Sequence, residues 1–382
     1  MENEFESHLK TKYQHIFQDN PKIVITAPGR INLIGEHTDY SEGFVLPAAI
    51  NLHVTLMITT NNQQLVEIYS QEFNEMFQLE IGSYDKEASS WKEYIKGIAW
   101  TLQKKGYPVK GWKGVMTGNI PIGAGLSSSA AFEIAILNAF CYAGNFVLSP
   151  AEMAKITQFS ENNWVGVNVG IMDQLVSTAG LAGHAVLLDC RTMKYEHIPI
   201  PKGISFIVLD TNTRRNLTSS AYNTRHDEVN AAAKFLGVKS LREASMTLFE
   251  QNLLKMDHVL IKRARHVIRE NVRVNQFARA MLNGDIREMG KLINASHTSL
   301  RDDFEVSSPE LNLIVENAQT HPDCLGARMT GAGFGGCALA VYHGTEVEEF
   351  CEQIATTYLQ STGITPNVFP VSIVDGVNAE WI

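Results

Sequence analysis

The stretch Gly118-Asn119-Ile120-Pro121-Ile122-Gly123-Ala124-Gly125-Leu126-Ser127-Ser128-Ser129 runs directly into Ala130, Ala131, Ile134, Ala135, Leu137 and Ala139. Apolar residues on nearly every phase predict a buried helix for the second part, with the turn-rich first part as its entry loop. The first N–H groups of a helix have no partner inside it, and the helix dipole favours an anion at that end. Glycine in the entry lets a phosphate come close to the backbone, and the serines add hydroxyls, including a candidate magnesium ligand. The stretch is not a Walker A loop, because no lysine precedes the hydroxyls. A serine-capped helix needs only one such hydroxyl. Three serines and three glycines around one helix start therefore favour phosphate binding.

Far upstream, a strand-like Ile23-Val24-Ile25 leads into Ala27-Pro28-Gly29-Arg30-Ile31-Asn32-Leu33-Ile34-Gly35-Glu36-His37-Thr38-Asp39-Tyr40. One cation, two carboxylates and an imidazole so close together suit several adjacent hydroxyls, as on a sugar. A solvated turn of charged residues is the alternative. Downstream, Thr330-Gly331-Ala332-Gly333-Phe334-Gly335-Gly336 contains G-x-G-x-x-G, but Cys337-Ala338-Leu339-Ala340-Val341-Tyr342 then reads as a strand. That context argues against a dinucleotide fingerprint, which needs a helix there. A turn packed against a ligand or another backbone fits better. In Gly170-Ile171-Met172-Asp173-Gln174 a carboxylate stands in an otherwise apolar stretch from Val165 to Val176. Burying an unpaired charge is costly, so Asp173 is expected to be paired or functional. Glu161 reads as an exposed residue near the end of the helix opened by the capping box Ser149-Pro150-Ala151-Glu152.

Taken in this order, the motifs resemble the galactokinase family, part of the superfamily that also contains homoserine, mevalonate and phosphomevalonate kinases. Gly29 to Tyr40 match the family signature, Gly123 to Ala130 the superfamily's phosphate loop, and Gly331 to Gly336 its third motif. The resemblance runs from about residue 20 to the end of the chain. It implies an α/β (α+β) two-domain small-molecule kinase fold, with the active site in the interdomain cleft. It also implies an ATP-dependent sugar 1-kinase that phosphorylates the anomeric hydroxyl of D-galactose, the first committed step of galactose catabolism.

Carried over motif by motif, Asp173 would accept the proton of that hydroxyl, and Arg30 would stabilise the transferring phosphoryl group. Ser129 and Glu161 would ligate Mg²⁺, against the exposed reading of Glu161. Glu36, His37, Thr38, Asp39, Gly170 and Tyr222 would bind the sugar. Ser70 and Trp91 would lie by the nucleotide, with Trp91 against adenine, while Gly123, Ala124, Gly125, Leu126, Ser127, Ser128 and Ser129 would wrap the phosphates. The rivals are a related sugar 1-kinase and a non-catalytic galactose and ATP sensor. Sensors of this kind lose residues just after the serine run, and Ser127-Ser128-Ser129-Ala130-Ala131 is complete here.

Length and composition bound the rest. A chain of 382 residues predicts two domains, or one large α/β body with an appended layer; a boundary near residue 200 gives an N-terminal α/β domain over 1–200 and a C-terminal one over 201–382. The hydrophobic share of 45% and charged share of 19% exclude a disordered chain, a collagen and a coiled coil. A net charge of −9 without any polybasic block argues against nucleic acid and anionic membrane as partners. The resemblance implies galactose and ATP as partners, and a monomer is expected. Five scattered cysteines with no C-x-x-C pair, an acidic start and no long apolar run lead to an expectation of reduced thiols in the cytoplasm.

The remaining pattern predicts a helix over 1–20, β-type runs at about 52–60 and 64–70, and a helix from Trp91 through Leu102. Short buried strands follow at 186–188 and 206–209, then a mostly helical span from about 219 to 320. The end reads as β-α-β, with strands to Thr330, at 337–342 and near 367–374, and a helix over 345–361.

Overall fold

In the computed structural model, residues 2–61, 63–87, 90–121, 123–213 and 218–382 are described, and Ile122 of the entry loop lies outside them. In chain order the first elements are α1 (Glu2–Phe17), β1 (Ile23–Asn32), β2 (Phe44–Val45), β3 (Pro47–Thr60), β4 (Leu65–Ser70) and β5 (Glu75–Glu80). Then come α2 (Trp91–Lys104), β6 (Trp112–Gly118), α3 (Ser128–Gly144), α4 (Pro150–Ser160), α5 (Met172–Ala179), β7 (His184–Asp189), β8 (Lys194–Pro199) and β9 (Ser205–Asp210). A helical span follows, with α6 (Thr218–Phe235), α7 (Met246–Asn252), α8 (His258–Asn283), α9 (Ile286–Ser299) and α10 (Pro309–Gln319). The chain closes with β10 (Cys324–Met329), β11 (Cys337–Tyr342), α11 (Val347–Thr362), β12 (Asn367–Val371) and β13 (Asn378–Trp381).

Three sheets carry these strands. The largest has the order β13-β1-β3-β6-β4-β5, the second β10-β11-β9-β12, and a small one β2-β7-β8. Among the described residues only the β4–β6 pairing is parallel. β1 and β13 pair antiparallel through Ile23–Thr26 and Asn378–Trp381, so the last residues of the chain return to the first sheet. One apolar core joins Ile25, Leu56 and Phe140 to Phe206, Leu339 and Phe277, and so runs through both large sheets. A second core packs the other face of β9–β11 against α8, α10 and α11 through Leu209, Val267, Ile314, Ala340 and Phe350.

Two local features set up the functional residues. β1 pairs with β3 up to Pro28, shifts register, and resumes at Arg30. There the Arg30 N–H donates to the Leu126 carbonyl of the entry loop at 3.1 Å. A bulge of this kind re-aims the side chains beyond it. α3 is buried on almost every face, as its composition requires, and packs on β1, β3 and α5. The capping box at Ser149 and Glu152 opens α4, which ends in a π-helical turn over Glu161–Val165. Among the described residues no helix is long and apolar enough to cross a membrane. Cys141, Cys190, Cys324 and Cys351 are free thiols.

Candidate active site

A cavity of about 290 Å³ is lined by Arg30, Glu36, His37, Asp39, Asp173 and Tyr222, together with Gly170 and the apolar side chains of Val167, Val169 and Met172. The charged stretch at 29–40 is therefore no solvated turn: Arg30, Glu36 and His37 are at most 5% exposed. Each is held by the protein. Glu36 Oε1 accepts from the Thr330 hydroxyl at 2.9 Å and the Gly331 N–H at 2.7 Å, and its Oε2 from Asn32 Nδ2 at 2.8 Å. Burial pushes His37 down to about 3, leaving a neutral imidazole at pH 7. Its Nε2 lies 3.2 Å from the Ala332 carbonyl, so this nitrogen donates, and Nδ1, 3.0 Å from the Tyr40 hydroxyl, accepts.

Gly170 explains how Asp39 fits. A Cβ at residue 170 would stand 1.5 Å from Asp39 Oδ2, so any other residue there would displace the carboxylate. Burial, reinforced by the negative charge of Asp173, pushes Asp39 up to about 7. Thr38 is set apart from its neighbours. It is fully buried, and its hydroxyl lies within hydrogen-bonding distance of the Gly35 and Phe44 carbonyls, inside its own turn.

Asp173 sits in the first turn of α5. Arg30 grips it with two parallel bonds, Nε to Oδ1 at 2.8 Å and Nη2 to Oδ2 at 2.7 Å, and sends Nη1 to the Gly125 carbonyl at 2.5 Å. The Ser127 hydroxyl also donates to Asp173. Ser127 precedes α3 with φ of 62° and makes no side-chain cap bond, so its role is not helix capping. A non-glycine residue in that region is strained, a feature that concentrates at functional sites. The third glycine motif packs on this same loop. Gly331 has φ of +84°, and a Cβ on it would come within 2.9 Å of the Gly125 carbonyl oxygen.

A second cavity of about 330 Å³ lies beyond this seam, lined by Phe73, Trp91, Tyr94, Ser128, Ser129 and Phe132 among others. Trp91 stacks on Phe73 at 5.6 Å with an interplanar angle of 4°, and its indole N–H donates to Glu75 at 3.1 Å. Ser70 is fully buried; its hydroxyl is 3.3 Å from Glu72, which itself lines the cavity. Of the phosphate-loop residues, Ser128 and Ser129 line this cavity, whereas Ala124 and Leu126 are buried in the main core. Gly123 and Gly125 take positive φ in the turn.

Glu161 is 3% exposed, not an exposed helix residue. Burial, then the charge of Asp173, pushes it up to about 7, and Gln174 donates to it at 3.0 Å. Glu133 of α3 is fully buried beside it and is shifted well above the carboxylate range by burial and by Glu161. Glu161 thus lies beside Glu133 and within reach of the charge of Asp173, while Ser129 lines the second cavity; carboxylate and hydroxyl oxygens are the donor type that fits Mg²⁺. Among the described residues no group of three or more His, Cys, Asp or Glu side chains is arranged to hold a metal ion. Protein oxygens would therefore supply part of the shell, as Mg²⁺ sites shared with phosphates do.

Sequence reasoning passed over Glu133, Gln174, Arg328 and Thr330, and the aromatic partners Phe73, Tyr94 and Phe132. Glu133 did carry a signal, as the one charge in an apolar helix. So did Arg328, the one charge in β10, now fully buried with Nη1 on the Asn32 carbonyl at 3.0 Å.

Three stretches match known family descriptions: residues 11–60 the galactokinase galactose-binding signature, 93–181 the N-terminal domain of GHMP kinases, and 277–360 their C-terminal domain. A galactokinase of Roseiflexus sp. (strain RS-1) is 37% identical over 374 residues, spanning 97% of this chain and 96% of its own. The crystal structure of Lactococcus lactis galactokinase complexed with galactose superposes with a TM-score of 0.94 at 36% identity, covering 98% of this chain and 99% of that one. Methanococcus jannaschii mevalonate kinase shares the fold at a TM-score of 0.67 and 20% identity, covering 93% of this chain and 99% of its own.

Proposed function

The chain belongs to the galactokinase family, ATP-dependent sugar kinases of the GHMP superfamily, and on that premise we propose that it transfers the γ-phosphate of ATP to the anomeric hydroxyl of D-galactose, giving α-D-galactose 1-phosphate and ADP. The observation that carries this reading is the position of Asp173. It opens into the first cavity with about a third of its side chain exposed, while Ser127 ties it to the loop that forms the second.

In this reading galactose occupies the first cavity, with its hydroxyls on Glu36, Asp39 and Tyr222 and its ring beside His37, whose two nitrogens are engaged by Ala332 and Tyr40. The Glu36 carboxylate is preorganised by three donors, and Gly170 leaves room for Asp39. Asp173 takes the proton of the anomeric hydroxyl as that oxygen bonds to the γ-phosphorus and the bond to ADP breaks. Arg30 fixes the carboxylate and keeps a positive charge at the seam, where charge on the phosphoryl oxygens develops. ATP lies in the second cavity, with adenine near Trp91 and the phosphates at the start of α3. Mg²⁺ would be held by Ser129 and Glu161, and when bound it neutralises phosphate charge. A cytoplasmic monomer is part of this reading, and the free thiols of Cys141, Cys190, Cys324 and Cys351 support a reducing compartment.

The test is a panel of sugars assayed for sugar-dependent ATP consumption, with phosphorus NMR of the product. Galactose should drive turnover and carry its phosphate on the first carbon. Phosphate on the sixth carbon, or no galactose-dependent consumption, overturns the proposal. Binding without turnover would instead mark a sensor.

A further inference from the structure

The turn that carries Glu36 and His37 is held from behind by α8, no residue of which lines either cavity. His266, Glu270 and Val274 recur every fourth residue, so they share one face of that helix. All three meet the backbone of the turn. His266 Nε2 lies 3.1 Å from the Glu36 carbonyl, and Glu270 Oε1 accepts from the Gly35 N–H at 3.0 Å. Val274 packs on Gly35 so closely that a Cβ there would be 2.9 Å from its Cγ2. Asn271, one step round the helix, accepts from the Phe44 N–H at 2.8 Å, where the chain leaves the turn.

The roles at His266 follow from its partners. A carbonyl only accepts, so Nε2 carries the hydrogen, and Nδ1, 3.0 Å from the Ser299 hydroxyl, accepts. Burial pushes this imidazole down to about 4, consistent with a neutral ring. Glu270 is fully buried, receives Ser296 Oγ at 2.5 Å on Oε1 and Arg273 Nε at 2.6 Å on Oε2. Burial works to raise its pKa, but Arg273, His266 and Arg328 together hold it at about 2. An ion pair buried to this degree is seldom the cheapest way to fill a core, since apolar residues of similar volume often do as well or better. What the apolar alternative lacks is an acceptor for Gly35.

We propose that Glu270 is a positioning residue for the sugar cavity: by holding the Gly35 N–H it fixes the backbone from which Glu36 and His37 project, with His266 as a second anchor. The inference rests on reading that cavity as the galactose site. It makes galactose recognition depend on a charge that touches no substrate and lies on a helix far along the chain from the turn it holds.

The test uses the double variant Glu270→Leu/Arg273→Leu, which removes the pair without leaving a lone buried charge. Galactose affinity by calorimetry and galactose KM should weaken by about tenfold or more, the loss expected for a hydrogen bond to a charged group. ATP KM and kcat should stay within about twofold, since the variant alters ground-state placement of one substrate. Glu270→Gln keeps an acceptor oxygen for Gly35 and should recover most of the galactose affinity. His266→Phe keeps the ring against Phe304, 4.6 Å away, but loses the anchor on Glu36. It should weaken galactose alone, and it provides the reading if the double variant does not fold. Wild-type galactose affinity in a folded double variant or in His266→Phe, a parallel rise in ATP KM, or no recovery in Glu270→Gln overturns the inference. Failure of the wild-type protein to bind galactose would overturn the underlying site reading instead.

Discussion

The two cavities solve recognition in opposite ways. In the first, the polar groups of Glu36 and His37 are engaged by protein partners drawn from β1, the following turn and the third glycine motif. In the second, four aromatic rings, Phe73, Trp91, Tyr94 and Phe132, share the wall with polar and aliphatic side chains, and Trp91 lies parallel to Phe73 and edge-on to Phe132. On the proposed assignment of galactose to the first cavity and ATP to the second, the contrast follows from what each ligand offers. Sugar hydroxyls are read by direction, so acceptors must be fixed before binding, and fixing them takes buried partners. A flat base is gripped through its face, which tolerates some slip. Rigidity is thus concentrated on the sugar side. Substitutions there should be felt by galactose, and those on the far side by ATP.

The sharpest break comes at the seam, which belongs to both. Asp173→Asn preserves shape but removes the base, and Arg30 loses its bidentate ion-pair partner. Its kcat should fall roughly 10²–10⁴-fold, the range for a positioned general base. Steady-state kinetics with calorimetry for both substrates checks this. A near-normal kcat would remove Asp173 from the chemistry.

Next in size is Gly170→Ala, which tests whether the sugar side depends on exact placement of Asp39. No positive φ applies at this position, so alanine strains nothing but the contact, and its Cβ would fall 1.5 Å from Asp39 Oδ2. Displacing that carboxylate should weaken galactose by about tenfold or more. ATP binding should not change. An unaltered galactose affinity would mean that Asp39 does not meet the sugar.

These predictions lean on residues with very different visibility in the sequence. The main elements of the fold were legible because their patterns are local: α3 by its apolar run, α4 by its capping box, and β11 by six apolar residues bounded by glycine. β5, β8 and β13 were not, because each is short and rich in polar residues, with no more than two side chains buried. Within the site, the cation and acids stood out by chemistry alone, but their partners did not. Nothing near residue 36 signals that Thr330 and Gly331 will hold Glu36, or that His266 and Glu270 will hold its backbone. Those contacts exist only once the two large sheets share a core. A solvated turn stood as the alternative for Gly35 to Tyr40 because charge in a short motif usually is solvated. Thr38 shows a further limit: its hydroxyl stabilises the turn from inside, which a motif cannot distinguish from a hydroxyl facing the ligand.

On the nucleotide side, Trp91→Ala should raise ATP KM severalfold, on the scale of about 0.5–1.5 kcal/mol for lost aromatic stacking. Galactose affinity and kcat should change little, which is the asymmetry the comparison requires. Equal losses for both substrates would show the cavities to be mechanically coupled through α2 and α3 rather than independent.

The smallest effect tests what the fixed sugar side costs in stability. The ordinary value of 3.8 for Asp39 is pushed up to about 7 by burial, with the charge of Asp173 adding to it. Between these values the folded protein holds a proton that the unfolded chain has released, so stability from this group is lost as pH rises from about 4 to about 7 and stays lost above. Asp39→Asn has no charge to bury. Its melting temperature should match the wild type near pH 4 and exceed it by a few degrees at pH 8, with the gap opening across that window. Added galactose should narrow the gap, because the wild-type carboxylate would accept sugar hydroxyls that the amide receives less well. Parallel melting curves from pH 4 to 8 would mean that Asp39 is comfortably solvated, and the cavity would then lack the tension expected of an acceptor held ready for a sugar.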